Sequence, residues 1–424
     1  MIVIKDFSRR HFLGVACGSA VSVGLAAQVS SELQAASTRD FRIRTITAGI
    51  RIGHPSNLGK ITEAGKFLKK METRYTDLGY EVQTRRIATE AFSEYAPYWK
   101  EKSSLKFIQE MDALAGEQDV VFNIGPIITG DSYEADRAKW AVDVIQSTNR
   151  INFTTHITSD KRGIHYQTIR TSAEIIRALA GAKPGGEGNF NFSATAFVPA
   201  GSPFFPAAYH EGEDSFAIGL ETPRLLDNVF KNGDGMPEAG SRLKARMESE
   251  FGAVEKTALE MAAQSGWLYG GIDSSPAPGP DSSIGRAIET LTGRPFGSAS
   301  TLQACAIITD VLKNLSVKTC GYSGLMLPVI EDEILAKRAA EGRYGVSELL
   351  LYSSVCGTGL DVVPLPGDIS VDAIARILGD VAALSNKYHK ALSARLFPIP
   401  GKAAGDSIQF DHPFLQDSVV MSPE

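Results

Sequence analysis

The sequence predicts an α/β protein built around a largely parallel β-sheet. Short β-branched runs alternate with segments of helical spacing, and parallel strands need such helices to cover their faces. Of the 424 residues, 43% are hydrophobic and 22% are charged, which is typical of a soluble globular protein. Because no low-complexity linker interrupts the alternation, we expect one large domain over residues 37–424.

Residues 1–36 have the pattern of a twin-arginine (Tat) signal peptide. Arg9 and Arg10 precede an uncharged stretch at 12–27 that is rich in small residues, and 33–36 offers a cleavage site. A membrane anchor is the alternative, but a spanning helix needs about 20 predominantly apolar residues. We therefore expect the twin-arginine machinery to export the protein to the periplasm or out of the cell, with no membrane span in the mature form.

The first half of the mature chain alternates between strand and helix patterns. A strand over 41–52 is followed by a helix over 60–79, because Ile61, Phe67 and Met71 recur at helical spacing. The sequence from Thr171 to Glu174 has the form of a capping box, which predicts a helix start there. Further strands are predicted at 81–87, 120–128, 151–157, 191–198 and 216–220, and further helices at about 98–116, 133–148 and 171–182.

The second half begins with a long amphipathic helix, predicted over 240–265. Carboxylates at 331–333 suit the first turn of another helix, and Ser370 suits the N-cap of a helix over 371–388. The remaining elements are a strand from 267, helices at 284–291 and 302–315, and strands at 393–397 and 407–410.

Three loops in this half combine glycine, proline or serine with a carboxylate, at 271–281, 356–368 and 398–406. Ligands of α/β proteins bind beyond the carboxyl ends of the strands, so we expect these loops to converge on one pocket. Alternatively, the aspartates only cap helices and the glycines and prolines only end elements. The residues that would line such a pocket are Asp273, Cys356, Asp361, Asp368, Arg395, Lys402 and Asp406.

The stretch 352–368 is the most distinctive of the three. Cys356 precedes Gly357 and Gly359, whose small size lets the backbone approach a ligand closely. A thiol beside free backbone N–H groups suits a nucleophile or an acid/base. The alternative is an inert cysteine in a packed turn, since free cysteine is among the most buried residue types.

Several classes of function are disfavoured. A formal charge of −6 argues against nucleic-acid binding, and neither a P-loop nor a dinucleotide-binding glycine motif is present, so no cofactor is identified. The histidines lack metal-ligand spacing. The cluster from His210 to Asp214 could hold a divalent cation, but we favour a solvated turn and assign no metal. A disulfide between Cys305 and Cys320 is allowed but cannot be deduced.

Four motifs, at 271–276, 321–328, 355–361 and 393–398, resemble the domain of unknown function 711 family, also called uncharacterised protein family 0210. The resemblance covers nearly all of the mature chain. It implies the fold group of pyruvate formate-lyase and ribonucleotide reductase, and hence a ten-stranded α/β barrel over 37–424. In those enzymes a loop inside the barrel carries a cysteine that becomes a thiyl radical, and Cys356 is the candidate equivalent. Ser300 stands where the family would have glycine.

We nevertheless expect an enzyme that does not use a radical, acting on a small polar or acidic metabolite. The sequence Ala404-Gly405-Asp406 is not a glycyl-radical motif, and export removes a protein from a radical-activating enzyme. Cys356 would be the nucleophile or acid/base, with Asp273 and Asp361 as acid/base or orienting groups and Arg395 and Lys402 as anchors for an anion. The alternative is a ligand-binding protein of the cell envelope without turnover. Formation of a homo-oligomer is left open.

Overall fold

The computed structural model describes residues 39–233, 235–412 and 414–423. The predicted signal peptide at 1–36 lies outside this range. Within the range, no helix combines the length and the apolar character needed to cross a membrane.

The centre of the fold is a nine-stranded, mostly parallel sheet, which confirms the predicted α/β class. Six of its eight adjacent strand pairs are parallel. In chain order the strands are β1 (Arg42–Ile50), β2 (Arg85–Thr89), β3 (Val121–Ile128), β4 (Ile151–His156), β5 (Phe192–Ala196), β6 (Ser215–Glu221), β7 (Leu268–Asp273), β8 (Gly359–Pro366) and β9 (Leu392–Ile399).

The strand order across the sheet is β8-β9-β5-β4-β3-β2-β1-β6-β7. Strands β1 to β5 form a parallel block, and the pairs β6–β7 and β8–β9 run antiparallel to it on either side. The segment 319–328 touches both edge strands: Thr319 bridges to Ile272 of β7, and Pro328 bridges to Asp361 of β8. Two short ribbons, Thr158–Ser159 with Gly163–Ile164 and Ser407–Ile408 with Ser418–Val419, lie outside the sheet.

Helices cover the sheet. Nearly every strand residue is therefore buried, as expected where both faces of a parallel sheet are covered. For example, α1 packs on β1 and β2 through Ile61, Leu68 and Met71. The helices are α1 (Gly59–Asp77), α2 (Phe92–Tyr95), α3 (Lys102–Glu117), α4 (Arg137–Ser147), α5 (Tyr166–Leu179), α6 (Pro223–Lys231), α7 (Met236–Ser265), α8 (Ile284–Thr292), α9 (Thr301–Lys313), α10 (Glu333–Ala340), α11 (Val346–Val355) and α12 (Val371–Tyr388).

The start of α5 differs from the prediction. The helix begins at Tyr166, so Thr171 lies inside it and donates to the carbonyl oxygen of Gln167, four residues earlier. Its first turn is capped from a distance, because Asp131 accepts hydrogen bonds from the backbone N–H groups of Gln167 and Thr168. The capping-box prediction at Thr171 was therefore wrong. By contrast, the predicted cap of α12 is confirmed, since Ser370 Oγ accepts from Ala373 N.

The stretch 352–368 is also more regular than a loop. Residues 352–355 complete α11, and Gly359–Pro366 forms β8, so only three residues connect the two elements. Pro364 and Pro366 are tolerated in β8 because it is an edge strand, where a missing N–H removes little of the hydrogen-bond ladder.

Candidate functional site

A cavity of about 220 Å³ opens at one end of the sheet. Arg44, Arg86, Val121 and Asn152, each within the first three residues of its strand, bring the amino ends of β1 to β4 to this cavity. Ala277 and Pro278, which follow β7, also line the cavity. The site therefore lies beyond the carboxyl end of β7 but at the amino ends of the central parallel strands, where the sequence did not predict it.

Three buried arginines line this cavity, and two of them are held by carboxylates. Arg44 Nη1 lies 3.2 Å from Glu221 Oε2 and donates to the carbonyl oxygen of Pro278 at 2.6 Å. Arg395 Nε donates to Asp361 Oδ1 at 2.7 Å, and Arg395 Nη2 donates to Glu331 Oε1 at 3.0 Å. These contacts are charge-assisted and lock the position of each carboxylate.

Asp361 is the carboxylate best placed to react with a bound molecule. Its side chain retains 18% exposure while lining the cavity. Burial raises the pKa of Asp361, the Arg395 guanidinium opposes that rise, and Glu331 reinforces it. A carboxyl group whose pKa moves toward neutrality is suited to exchange protons with a ligand.

Arg86 is the third arginine, and its situation differs. Nε donates to Thr84 Oγ1 at 3.2 Å, and the guanidinium lies 5.2 Å from the centre of the Phe205 ring. Among the described residues no carboxylate lies within ion-pair distance of it. Burial lowers the pKa of Arg86 to about 9; repulsion from Arg44 and Arg395 reinforces this effect, and the Glu331 carboxylate opposes it.

The remaining lining combines apolar walls with a polar rim. At the rim, burial lowers the pKa of Lys183 and of His412 and raises that of Glu187. Such clusters of titratable groups with shifted pKa values are typical of functional sites. The other side chains are the apolar Phe190, Phe204, Phe205, Phe414 and Met326 and the amides of Asn149, Asn152 and Asn191.

Of the seven site residues predicted from the sequence, the structure brings Asp361 and Arg395 together at this cavity. Asp273 is fully buried elsewhere. Its carboxylate accepts from the backbone N–H groups of Ser275, Tyr322 and Ser323 and from the Ser275 hydroxyl, and so it joins β7 to the segment 319–328. Burial raises the pKa of Asp273.

Cys356 directly follows α11 and lies in the hydrophobic core, with no exposure, and it does not line the cavity. Its carbonyl oxygen accepts from Lys390 Nζ. The glycine that follows serves packing, because a Cβ on Gly357 would lie 2.4 Å from the Cα of Gly324. The catalytic role assigned to Cys356 stays a prediction from the sequence.

Asp368, Lys402 and Asp406 are exposed and lie outside the cavity lining. The carbonyl oxygen of Lys402 accepts from Gly367 N, and Asp406 Oδ2 accepts from Ala403 N at 2.7 Å, so this region forms a turn beside the end of β8. The loops at 271–281 and 356–368 therefore meet at the cavity through Ala277, Pro278 and Asp361, whereas the loop at 398–406 does not reach it. Asp361 lies near the start of β8, and Asp368 and the turn at 402–406 lie beyond its other end.

Arg44, Arg86 and Glu331 line the cavity but were not predicted as site residues from the sequence. The sequence does contain a signal for the two arginines. Arg44 and Arg86 interrupt apolar strands, where a buried charge is unfavourable unless it is paired or binds a ligand.

The described part of the chain holds no group of three or more potential ligands arranged for a metal. His210 is buried while Glu211 and Glu213 are exposed, so the side chains of that cluster diverge. Cys305, Cys320 and Cys356 are free.

The chain is similar to the members of one protein family. The model described as Uncharacterised ACR (DUF711) matches residues 35–412. A UPF0210 protein of Pyrobaculum aerophilum is 31% identical over 80% of this chain and 79% of its own length. UPF0210 proteins of Pyrobaculum arsenaticum and Halothermothrix orenii are 30% and 27% identical, over 78% and 87% of this chain and 76% and 88% of their own lengths.

Proposed function

We propose that this chain, which belongs to the DUF711 (UPF0210) family, is an enzyme that binds a small polar or acidic metabolite in the 220 Å³ cavity and acts on it by acid–base chemistry. One observation carries the proposal. Asp361 faces a cavity with a raised pKa while Arg395 fixes one of its oxygens at 2.7 Å. A desolvated carboxyl group in a fixed position is what a general base or acid requires.

In this proposal each residue has a distinct role. Ionised Asp361 accepts a proton from the metabolite, and its protonated form returns one later in the reaction. Arg395 orients Asp361 and limits the rise of its pKa, and Glu331 holds the second terminal nitrogen of the same guanidinium. The aromatic side chains at 190, 204, 205 and 414 exclude water, which strengthens the electrostatic interactions inside.

A cell-envelope protein that binds the same metabolite without turnover is the second candidate. It is favoured by the extent to which the polar groups are already paired, since Arg44 and Arg395 both engage carboxylates. A carboxylate held in an ion pair tends to keep its charge, which suits a site that does not exchange protons with its ligand.

The test separates the two candidates in two steps. A library of small metabolites is screened by thermal shift, because a ligand at a hundredfold excess over its dissociation constant stabilises the folded state by about 2.7 kcal/mol. Each stabilising compound is then incubated with the protein and with Asp361→Asn, and the mixture is analysed by mass spectrometry. Conversion by the wild type alone supports the enzyme. Stabilisation of both proteins without conversion supports the binding protein, and absence of any stabilising compound contradicts both.

We further propose that the sheet closes into a ten-stranded α/β barrel of the pyruvate formate-lyase type. Support comes from the bridges of Thr319 to β7 and of Pro328 to β8, since the segment 319–328 then occupies the gap between the two edge strands. A crystal structure tests this directly. Main-chain hydrogen bonds from 319–328 to both edges are expected, and an open gap there would contradict the barrel.

Export by the twin-arginine route is also proposed, on the pattern around Arg9 and Arg10 and on a family match that starts only at residue 35. The double variant Arg9→Lys/Arg10→Lys should accumulate as unprocessed precursor in the cytoplasm, because the pathway depends on the arginine pair. Cell fractionation and immunoblotting measure this. Normal processing of the double variant would refute the assignment.

A further inference from the structure

We propose that Arg86 is the anion anchor of this cavity and that the ligand is a small monocarboxylic acid whose apolar body lies against Phe204, Phe205 and Met326. The inference rests on the proposed function only in placing the ligand in this cavity. It replaces the anchors expected from the sequence, because Arg395 is engaged by Asp361 and Glu331, and Lys402 is outside the lining.

Arg86 is 8% exposed, yet among the described residues no carboxylate pairs with it. A buried charge without a counter-ion is unfavourable, and proteins normally pair it or use it. Arg44 and Arg395, its neighbours in the same lining, are both paired. Burial is the main cause of the lowered pKa of Arg86, about 9, and the more distant Glu331 carboxylate offsets it only in part.

Arg86 and Thr84 are two residues apart, so in extended chain their side chains share one face, and Thr84 Oγ1 engages Nε. Neither terminal nitrogen has a hydrogen-bond partner in the part of the chain that the structure describes, so both can donate to the ligand. The Phe205 ring, 5.2 Å from the guanidinium carbon, limits the guanidinium on one side. Two parallel N–H donors match the two oxygens of a carboxylate.

One unpaired guanidinium calls for one negative charge, and Glu331 and Asp361 in the same lining repel a phosphate dianion about twice as strongly as a monocarboxylate. The neighbouring walls at Phe204, Phe205, Ala277 and Met326 are apolar, so a carboxylate attached to a compact apolar body fits the site as a whole.

The experiment compares charged probes with neutral isosteres. Acetate, benzoate and inorganic phosphate, and acetamide and benzamide as uncharged counterparts, are titrated calorimetrically into the full mature protein, Arg86→Gln, Arg86→Lys and Arg51→Gln. Arg51 is exposed and pairs with Glu94, so its variant removes one positive charge away from the cavity. We expect at least one carboxylate to bind tenfold more tightly than its amide, and Arg86→Gln to abolish this preference. Arg86→Lys should retain part of it and Arg51→Gln all of it.

Labelling with phenylglyoxal keeps the test valid if Arg86→Gln does not fold. In the wild type, the preferred carboxylate should protect Arg86 from modification, as measured by peptide mass spectrometry. The proposal would be overturned by equal affinity for acids and amides, by no binding of any probe, by a retained preference for the acid in Arg86→Gln, or by an Arg86 that the carboxylate does not protect. Tighter binding of phosphate than of the carboxylates would overturn the assignment of the ligand as a monocarboxylic acid. The two proposals can fail separately. If Arg86 does not bind the carboxylate, the turnover test at Asp361 can still be carried out, and if no turnover is found, the preference for the carboxylate over its amide can still be measured.

Discussion

The candidate site is built from buried charged side chains and their partners. Asp361 and Arg395 were predicted from their positions in glycine- and proline-rich motifs, and they do meet in the cavity. Arg86 and Glu331 come from distant parts of the chain, at the start of β2 and before α10. Their proximity depends on strand order, which local patterns do not specify, and so the sequence could not group them.

His156 shows how one buried group should control stability against acid. Its Nε2 is buried without a partner among the described residues, and its ring packs 4.9 Å from that of Tyr209. Burial, with a contribution from His165, lowers the pKa of His156 to about 4. The unfolded chain, with an ordinary pKa of about 6.5, then binds the proton more readily, so stability is complete above that value and falls as pH decreases toward 4.

We therefore expect the wild type to lose about 1–2 kcal/mol of unfolding free energy between about pH 7 and pH 5 through His156 alone. Urea unfolding at both pH values measures this in the wild type, His156→Phe and the exposed-site control His54→Phe. The loss should shrink by that amount in His156→Phe only. An unchanged pH dependence in His156→Phe would show that the histidine does not titrate as described.

At the scale of elements, local patterns located most strands and helices, but they missed α2, α6, α11 and β8 and did not locate all helix ends. Ser370 caps α12 from the adjacent position and was recognised, whereas α5 is capped by Asp131 from a separate loop and was not. Ser300, where the family would have glycine, precedes α9 with φ of +81°, a conformation that glycine adopts more easily. The glycine that the family resemblance implies at position 300 therefore corresponds to a residue with positive φ in this structure.

Asp332 is the cap with the largest expected effect. Its buried carboxylate accepts from the backbone N–H groups of Ile334 and Leu335 at the start of α10, and also from Ser283 Oγ and Ile284 N at the start of α8. Asp332→Ala removes caps from two helices and should cost about 2–4 kcal/mol. Ser370→Ala removes one exposed cap and should cost about 1 kcal/mol. Chemical denaturation of both variants tests this, and equal losses would contradict the double-cap role.

At the scale of the whole molecule, the sheet joins distant parts of the chain. Strand β9 pairs with β5, about 200 residues earlier, and β6 pairs with β1. The α/β class and the parallel sheet followed from the alternation of patterns. The order of strands did not, because pairing depends on long-range packing that periodicity cannot record.

This interleaving predicts one cooperative unit. Any cut near the middle of the chain would separate paired strands and expose the buried core on both sides. Limited proteolysis of the mature protein should therefore pass from intact chain to small peptides, with calorimetry showing a single transition. A stable, folded fragment of about half the chain would contradict the prediction.

The central claim is that chemistry takes place at Asp361 in the cavity. It is tested most directly by steady-state kinetics of Asp361→Asn and Cys356→Ser on the substrate found by the metabolite screen. The account predicts that Asp361→Asn lowers kcat at least about 100-fold with little change in KM, the range for loss of a general acid or base. Cys356→Ser, altered in the core away from the cavity, should keep most of its kcat. Retained kcat in Asp361→Asn together with lost kcat in a folded Cys356→Ser would contradict the account and return the active site to the cysteine.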